Sequence, residues 1–103
     1  MHILTNEEVA RAINVDPDFD DETLTGYAEA ATSFIYEKTG YDFSKDSKIE
    51  PLAKQCARLY VRQLHYGSNG YNKDHDYTLG ITGLIVDLQN IAIRKKAKEN
   101  GRL

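Results

Sequence analysis

Apolar residues fall at spacings of three and four along most of this chain, and the positions where that rhythm breaks divide it into four helices. The longest uninterrupted stripe is Leu24, Tyr27, Ala28, Ala31, Phe34 and Ile35, which lies along one face of a helix predicted over 21–39. Its ends are marked as well. Asp20 or Asp21 can cap the start, Lys38 suits the last turn, and Gly40 can stop the helix in the left-handed conformation. A helix of that length is about as long as a small domain is wide, so it is expected to be the central element.

Three further helices follow from the same pattern. Thr5 and Glu8 form a capping box ahead of Val9, Ala12 and Ile13, which predicts a short helix over 6–13, with Ile3 or Leu4 pinning it to the core. Pro51 suits a first helical position, and Leu52, Ala53, Cys56, Leu59, Tyr60 and Leu64 continue from it, predicting a helix over 51–66 ended by Gly67. Ile81, Leu84, Ile85, Leu88, Ile91 and Ala92 predict a helix over 82–97. Ile91 to Arg94 could alternatively peel off as a strand, because branched side chains alternate there. Between the first two helices, Pro17 breaks the pattern. After the second, Tyr41 and Phe43 are expected to fold back as anchors. Gly67 to Gly80 is rich in Gly and Asn without apolar periodicity, and is expected to be a mobile loop. Residues 97–103 read as a basic frayed tail. The expected fold is a single all-α domain spanning 1–103.

Length and composition support one small domain. The 103 residues are 41% hydrophobic and 28% charged, enough for one core, and no apolar run approaches a membrane span. The opening MHILTNEEV lacks a basic segment followed by a long apolar one, so the chain is expected to stay in the cytoplasm of the cell that makes it. Cys56 is the single cysteine, set on an apolar helix face, and reads as a buried inert thiol.

Charge divides the chain. Residues 1–50 carry four Lys or Arg against twelve Asp or Glu, a balance of -8; residues 51–103 carry nine against four, a balance of +5, and together they give the net -3. Two surfaces of opposite sign can attract within one molecule or between copies. Lys54, Arg58 and Arg62 lie four apart, a row of cations beside the apolar face of their helix. Like charges at that spacing repel, so something else should offset them.

Candidate chemistry is sparse. Asp16, Asp18 and Asp20 imitate the first ligands of a calcium loop, but Asp21 stands where that loop needs Gly and Tyr27 where it needs Glu. Asp74, His75 and Asp76 are adjacent residues with no distant partner set to complete a metal site. The three His are scattered at 2, 65 and 75, and His65 suits a helix end better than acid-base work. No phosphate loop, zinc spacing or nucleophile with a partner base is present. The expected protein is therefore not an enzyme and needs no cofactor. Sequence-specific DNA reading is not indicated either, since the strongest helix is acidic and the basic one precedes a long loop.

The phrases LTNEEVARAINVD, DDETLTGYAEAATSFIYEKTGYDF, IEPLAKQCARLYVRQLHYG and LGITGLIVDL, taken in order, resemble the small head-tail connector proteins of tailed bacteriophages, also called head-completion or DNA-packaging adaptors. The resemblance covers nearly the whole chain and rests on the order of helices and connecting phrases. It implies an all-helical virion subunit, made in the bacterial host, that forms a ring, taken as dodecameric, under the portal protein. The ring extends the DNA channel without reading sequence and receives a stopper or tail-completion protein below. Placed on that plan, Glu29 and Glu37 on one subunit would meet Lys54, Arg58 and Arg62 of the next. Tyr71, Lys73, Tyr77, Lys95, Lys96 and Lys98 are the candidates for contact with portal, stopper or DNA. The chain after Leu88 is more helical and more basic than the family leads one to expect. Two other readings follow from the residues alone: a small helical nucleic-acid-associated protein, and a regulator that binds another protein.

Overall fold

The first two helices begin where a side chain takes up free backbone N–H groups of the first turn. The computed structural model describes residues 1–67 and 78–101 and contains four α-helices, α1 (Asn6–Ala12), α2 (Asp21–Thr39), α3 (Pro51–Gly67) and α4 (Thr78–Glu99), with a 3-10 turn at Phe43–Lys45. No strand occurs among the described residues. The chain is all-α. At α1 the capping box is complete: Thr5 Oγ1 accepts from the Glu8 N–H at 3.1 Å and Glu8 Oε1 accepts from the Thr5 N–H at 2.9 Å. At α2, Asp20 caps the Glu22 N–H and also accepts from the Thr23 hydroxyl. Of the acids that resembled a calcium loop, Asp20 is used this way, and Asp16 likewise accepts from the Asp18 N–H.

The predicted core is formed with changes of detail. Leu24, Ala28, Ala31 and Ile35 of α2 are buried, Tyr27 and Phe34 partly so, and Ile3, Leu4, Tyr41 and Phe43 close over them. On α3 the most buried positions are Ala53, Cys56, Ala57 and Val61, so the stripe is centred further round the helix than Leu52, Leu59 and Leu64 indicate. Small residues at Ala28, Ala31, Ala53 and Ala57 suit two helices that pack closely, and Phe34 stacks on Tyr60 across them at 4.3 Å. α2 touches every other element, which makes it central, but at 19 residues it is not the longest helix; α4 has 22.

Four boundaries differ from the sequence expectation. α1 ends at Ala12, with Asn14 beyond it at φ 58°. Gly67 is the last residue of α3, not a stop beyond it. α4 starts at Thr78, four residues before the predicted position, and the place of a Cβ on Gly80 lies 3.1 Å from Leu59 Cδ1. The first turn of α4 therefore sits close against α3, where the absence of a side chain lets the helix begin early. Ile91 to Arg94 is helix, with Ala92 fully buried, and α4 continues to Glu99, so 97–99 are ordered helix and not tail. The expected mobile loop overlaps α3 at Gly67 and α4 at 78–80, and its remainder, including Asp74, His75 and Asp76, lies outside the described residues.

Gly40 ends α2 at φ 71°, ψ 14°, its N–H donating to the Tyr36 carbonyl at 2.7 Å. Any residue with a Cβ is strained there, and the Cβ would also press on the Lys96 ammonium at 3.1 Å. Gly40→Ala is expected to cost about 1 kcal/mol, and Gly40→Asn distinctly less because Asn tolerates the left-handed region. Urea unfolding of the two variants checks the order; equal costs would place the penalty in the lysine contact instead.

Candidate interface surfaces

Two seams inside the subunit engage four of the charged residues that the sequence offers to partners, Lys54, Arg62, Lys95 and Lys96. The first joins α1 to α3. Glu8, already capping α1 through Oε1, accepts from Lys54 Nζ through Oε2 at 2.7 Å. Burial alone would push the Glu8 carboxyl up, but the hydrogen bonds from Lys54 and Thr5 and the Lys54 charge outweigh it and leave it below its ordinary value. Four and eight residues beyond Lys54, α3 presents Arg58 and Arg62. Arg62 Nε donates to the Ala12 carbonyl at 2.9 Å, and Tyr66 Oη donates to the Ile13 carbonyl at 2.7 Å. Those carbonyls belong to the end of α1, where no helical N–H remains to meet them. The neighbours that offset the cation row are thus Glu8 and a helix C-terminus of the same chain.

This changes what the row can offer outward. Lys54 and Arg62 are engaged within the subunit. Arg58 makes no ion pair with a described residue and lies beside Glu8, Arg11, Ala12 and Arg62 around a small surface hollow of about 180 Å³. Glu29 and Glu37 are exposed on α2, as the acidic-flank reading requires. Glu37 borders an open groove of about 740 Å³ with Tyr36, Thr32, Asp42 and Ser44.

The second seam clamps the end of α4 onto the end of α2. Gln89 Nε2 donates to the Lys38 carbonyl at 2.9 Å, and Lys96 Nζ donates to the Thr39 carbonyl at 3.3 Å, again serving free carbonyls at a helix C-terminus. Tyr41 Oη donates to Asp46 Oδ1 at 2.6 Å, Lys95 Nζ lies 3.1 Å from Asp46 Oδ2, and Lys45 pairs with Glu99. The Tyr41 ring has the Lys45 ammonium 4.8 Å and the Lys95 ammonium 5.8 Å from its centre. Burial first, then the Asp46 acceptor and the surrounding carboxylates, push the Tyr41 hydroxyl well above its ordinary range, while the Glu99 partner holds Lys45 up. Of the residues proposed for portal, stopper or DNA contact, Lys95 and Lys96 are therefore committed to this clamp. Lys98 is exposed, and Tyr71, Lys73 and Tyr77 lie outside the described residues.

The chemistry-bearing side chains have structural surroundings. Cys56 is buried and its thiol is pushed up to about 11 by that burial. His65, in the last turn of α3, bonds Tyr27 Oη through Nδ1 at 3.2 Å and meets the Tyr27 and Tyr66 rings edge-on, tying α3 to α2. Among the described residues no three His, Cys, Asp or Glu side chains converge as a metal site would need, and no described helix is long and apolar enough to cross a membrane.

Sequence reasoning overlooked one surface. Leu79, Val86 and Ile93 are among the most exposed large apolar residues, at 89%, 52% and 61%, and they lie seven apart on the outer side of α4. The interval of seven was present in the sequence, masked by the stronger inward stripe beside it.

No family model, curated protein or solved structure matches the chain.

Proposed function

We propose that this chain is a structural subunit of a phage head-tail connector, a ring of identical copies that docks under the portal, lengthens the DNA channel and receives the stopper or tail-completion protein. The observation that carries the reading is the order of the four family-like phrases, which fall in turn on α1, α2, α3 and the first half of α4. Cyclic assembly needs two different surfaces on one subunit that fit each other. The exposed acidic flank of α2, with Glu29 and Glu37, supplies one. Arg58 supplies the centre of the other, because Lys54 and Arg62 hold α1 in place and contribute only through their neighbourhood. Charge pairs at the rim of such a contact mainly steer and register the subunits.

The role is mechanical and calls for no catalytic group or cofactor. DNA would pass through the ring without base recognition. The engagement of Lys95 with Asp46 and of Lys96 with the end of α2 favours this reading over that of a nucleic-acid-associated protein, which needs those cations for phosphate. Light scattering followed by negative-stain imaging, with and without portal, tests the proposal. Wild type should form rings alone or on the portal, Arg58→Glu should reduce them severalfold, and Glu29→Lys with Glu37→Lys should restore them partly in the Arg58→Glu background. Absence of rings under both conditions, or tight salt-dependent duplex binding by the monomer, would overturn it.

A further inference from the structure

The outward face of α4 carries a second apolar stripe with the spacing of a two-helix seam. Leu79, Gly83, Val86, Asn90, Ile93 and Ala97 alternate at intervals of four and three over about 27 Å. All but the half-buried Ala97 are exposed, while Ile81, Ile85, Leu88 and Ala92 on the opposite side fill the core. Nothing lies within 4 Å of where a Cβ on Gly83 would be, so another backbone can approach there. A helix buried on one side needs one stripe; this one has two.

We propose that this face binds the same face of a second copy of the chain, with the two α4 helices antiparallel. The choice of occupant comes from the charges beside the stripe. Asp87 and Arg94 each directly follow a large seam residue, so both flank the stripe on the same side; both are exposed and neither makes an ion pair with a described residue. In an antiparallel pair, positions on that flank face one another across the seam. With the helices centred near Asn90 and Ile91, Asp87 of one copy faces Arg94 of the other, and the two-fold axis repeats the contact. The same register sets Asn90 beside Ile93 and Val86 beside Ala97. A parallel pair sets the Asp87 flank against Thr82 and the Arg94 flank against Gln89, with no opposite charges matched. The sequence of α4 is thus self-complementary in one orientation only.

In this register the position facing Leu79 falls beyond the end of the partner's α4, so two large apolar side chains per copy, Val86 and Ile93, make a small seam, below the area of a permanent dimer. Association is therefore expected to be weak, with monomer at about 1 µM and dimer filling as the concentration approaches about 1 mM. The contact is isologous, so it is a different surface from the two unlike faces of a closed ring and does not depend on the connector reading.

Sedimentation equilibrium of the full chain over that range is the test, with circular dichroism and urea unfolding to confirm that each variant folds as wild type does. Wild type should approach twice the monomer mass, and Val86→Glu with Ile93→Glu should weaken the association at least tenfold. Asp87→Arg alone and Arg94→Asp alone should each weaken it severalfold, whereas an equimolar mixture of those two single variants should recover it, since each pair then unites opposite charges. Wild type remaining monomeric throughout would overturn the proposal. So would association indifferent to Val86 and Ile93, and a mixture no stronger than its components would overturn the antiparallel arrangement.

Discussion

Phe43→Ala is expected to destabilise the subunit by about 3–5 kcal/mol, a large share of what a domain of this size has in hand. Phe43 is fully buried although it stands in a three-residue 3-10 turn and not in a helix. Its ring meets Tyr41 edge-on at 4.9 Å, and such a pair adds about 1 kcal/mol to the area it buries. The turn also fixes the residues around it: Asp42 caps the turn through the Ser44 N–H at 3.0 Å, while Tyr41 and Lys45 reach the clamp on α4. Deleting the ring leaves a cavity under the turn and loosens the clamp together. Phe43→Leu, which keeps most of the volume, should cost roughly 1–2 kcal/mol. Urea unfolding measures both, and a Phe43→Ala cost under about 1 kcal/mol would show that the turn is held by its charged residues and not by its aromatic anchor.

Tyr41 and Phe43 were legible in the sequence because two aromatic residues in an otherwise polar connection have few places to go except the core. The caps at Thr5, Glu8, Asp20 and Gly40 were legible for a different reason: their chemistry is completed within four residues, so local spacing decides it. Contacts between residues far apart in sequence were not. Arg62 reaches the Ala12 carbonyl across 50 positions and Lys96 the Thr39 carbonyl across 57, and a free carbonyl at a helix end has no signature in the side chains that will satisfy it. The same limit explains the cation row on α3, where the repulsion was readable and its relief was not. It also explains the start of α4, where Gly80 argues locally against a helix until Leu59 is placed beside it. For the candidate surfaces, Glu29 and Glu37 were readable as an exposed flank because α2 has a single apolar stripe. The outer face of α4 was hidden because two stripes on one helix blur each other's period.

Glu8 holds two roles with one carboxylate, and separating them gives the second large effect. Glu8→Ala removes the return half of the capping box and strands Lys54, whose side chain is 29% exposed against 21% for Glu8; a loss of about 2 kcal/mol is expected. Glu8→Gln can still accept from the Thr5 N–H, so it should lose about half as much, and that remainder isolates the pairing with Lys54. Lys54→Met combined with Glu8→Gln should then cost less than the sum of the two single changes, because each alone strands a partner in a partly buried seam. Acid supplies an independent check. The Glu8 carboxyl is held below its ordinary value of 4.5 in the fold, so its contribution is present above about that pH and disappears as pH falls through the lower folded value. The advantage of wild type over Glu8→Gln should accordingly be full at neutral pH and shrink steadily as pH falls below the ordinary value of 4.5 in urea titrations. An advantage that stays constant into strong acid would mean that the carboxylate charge does not hold α1 to α3.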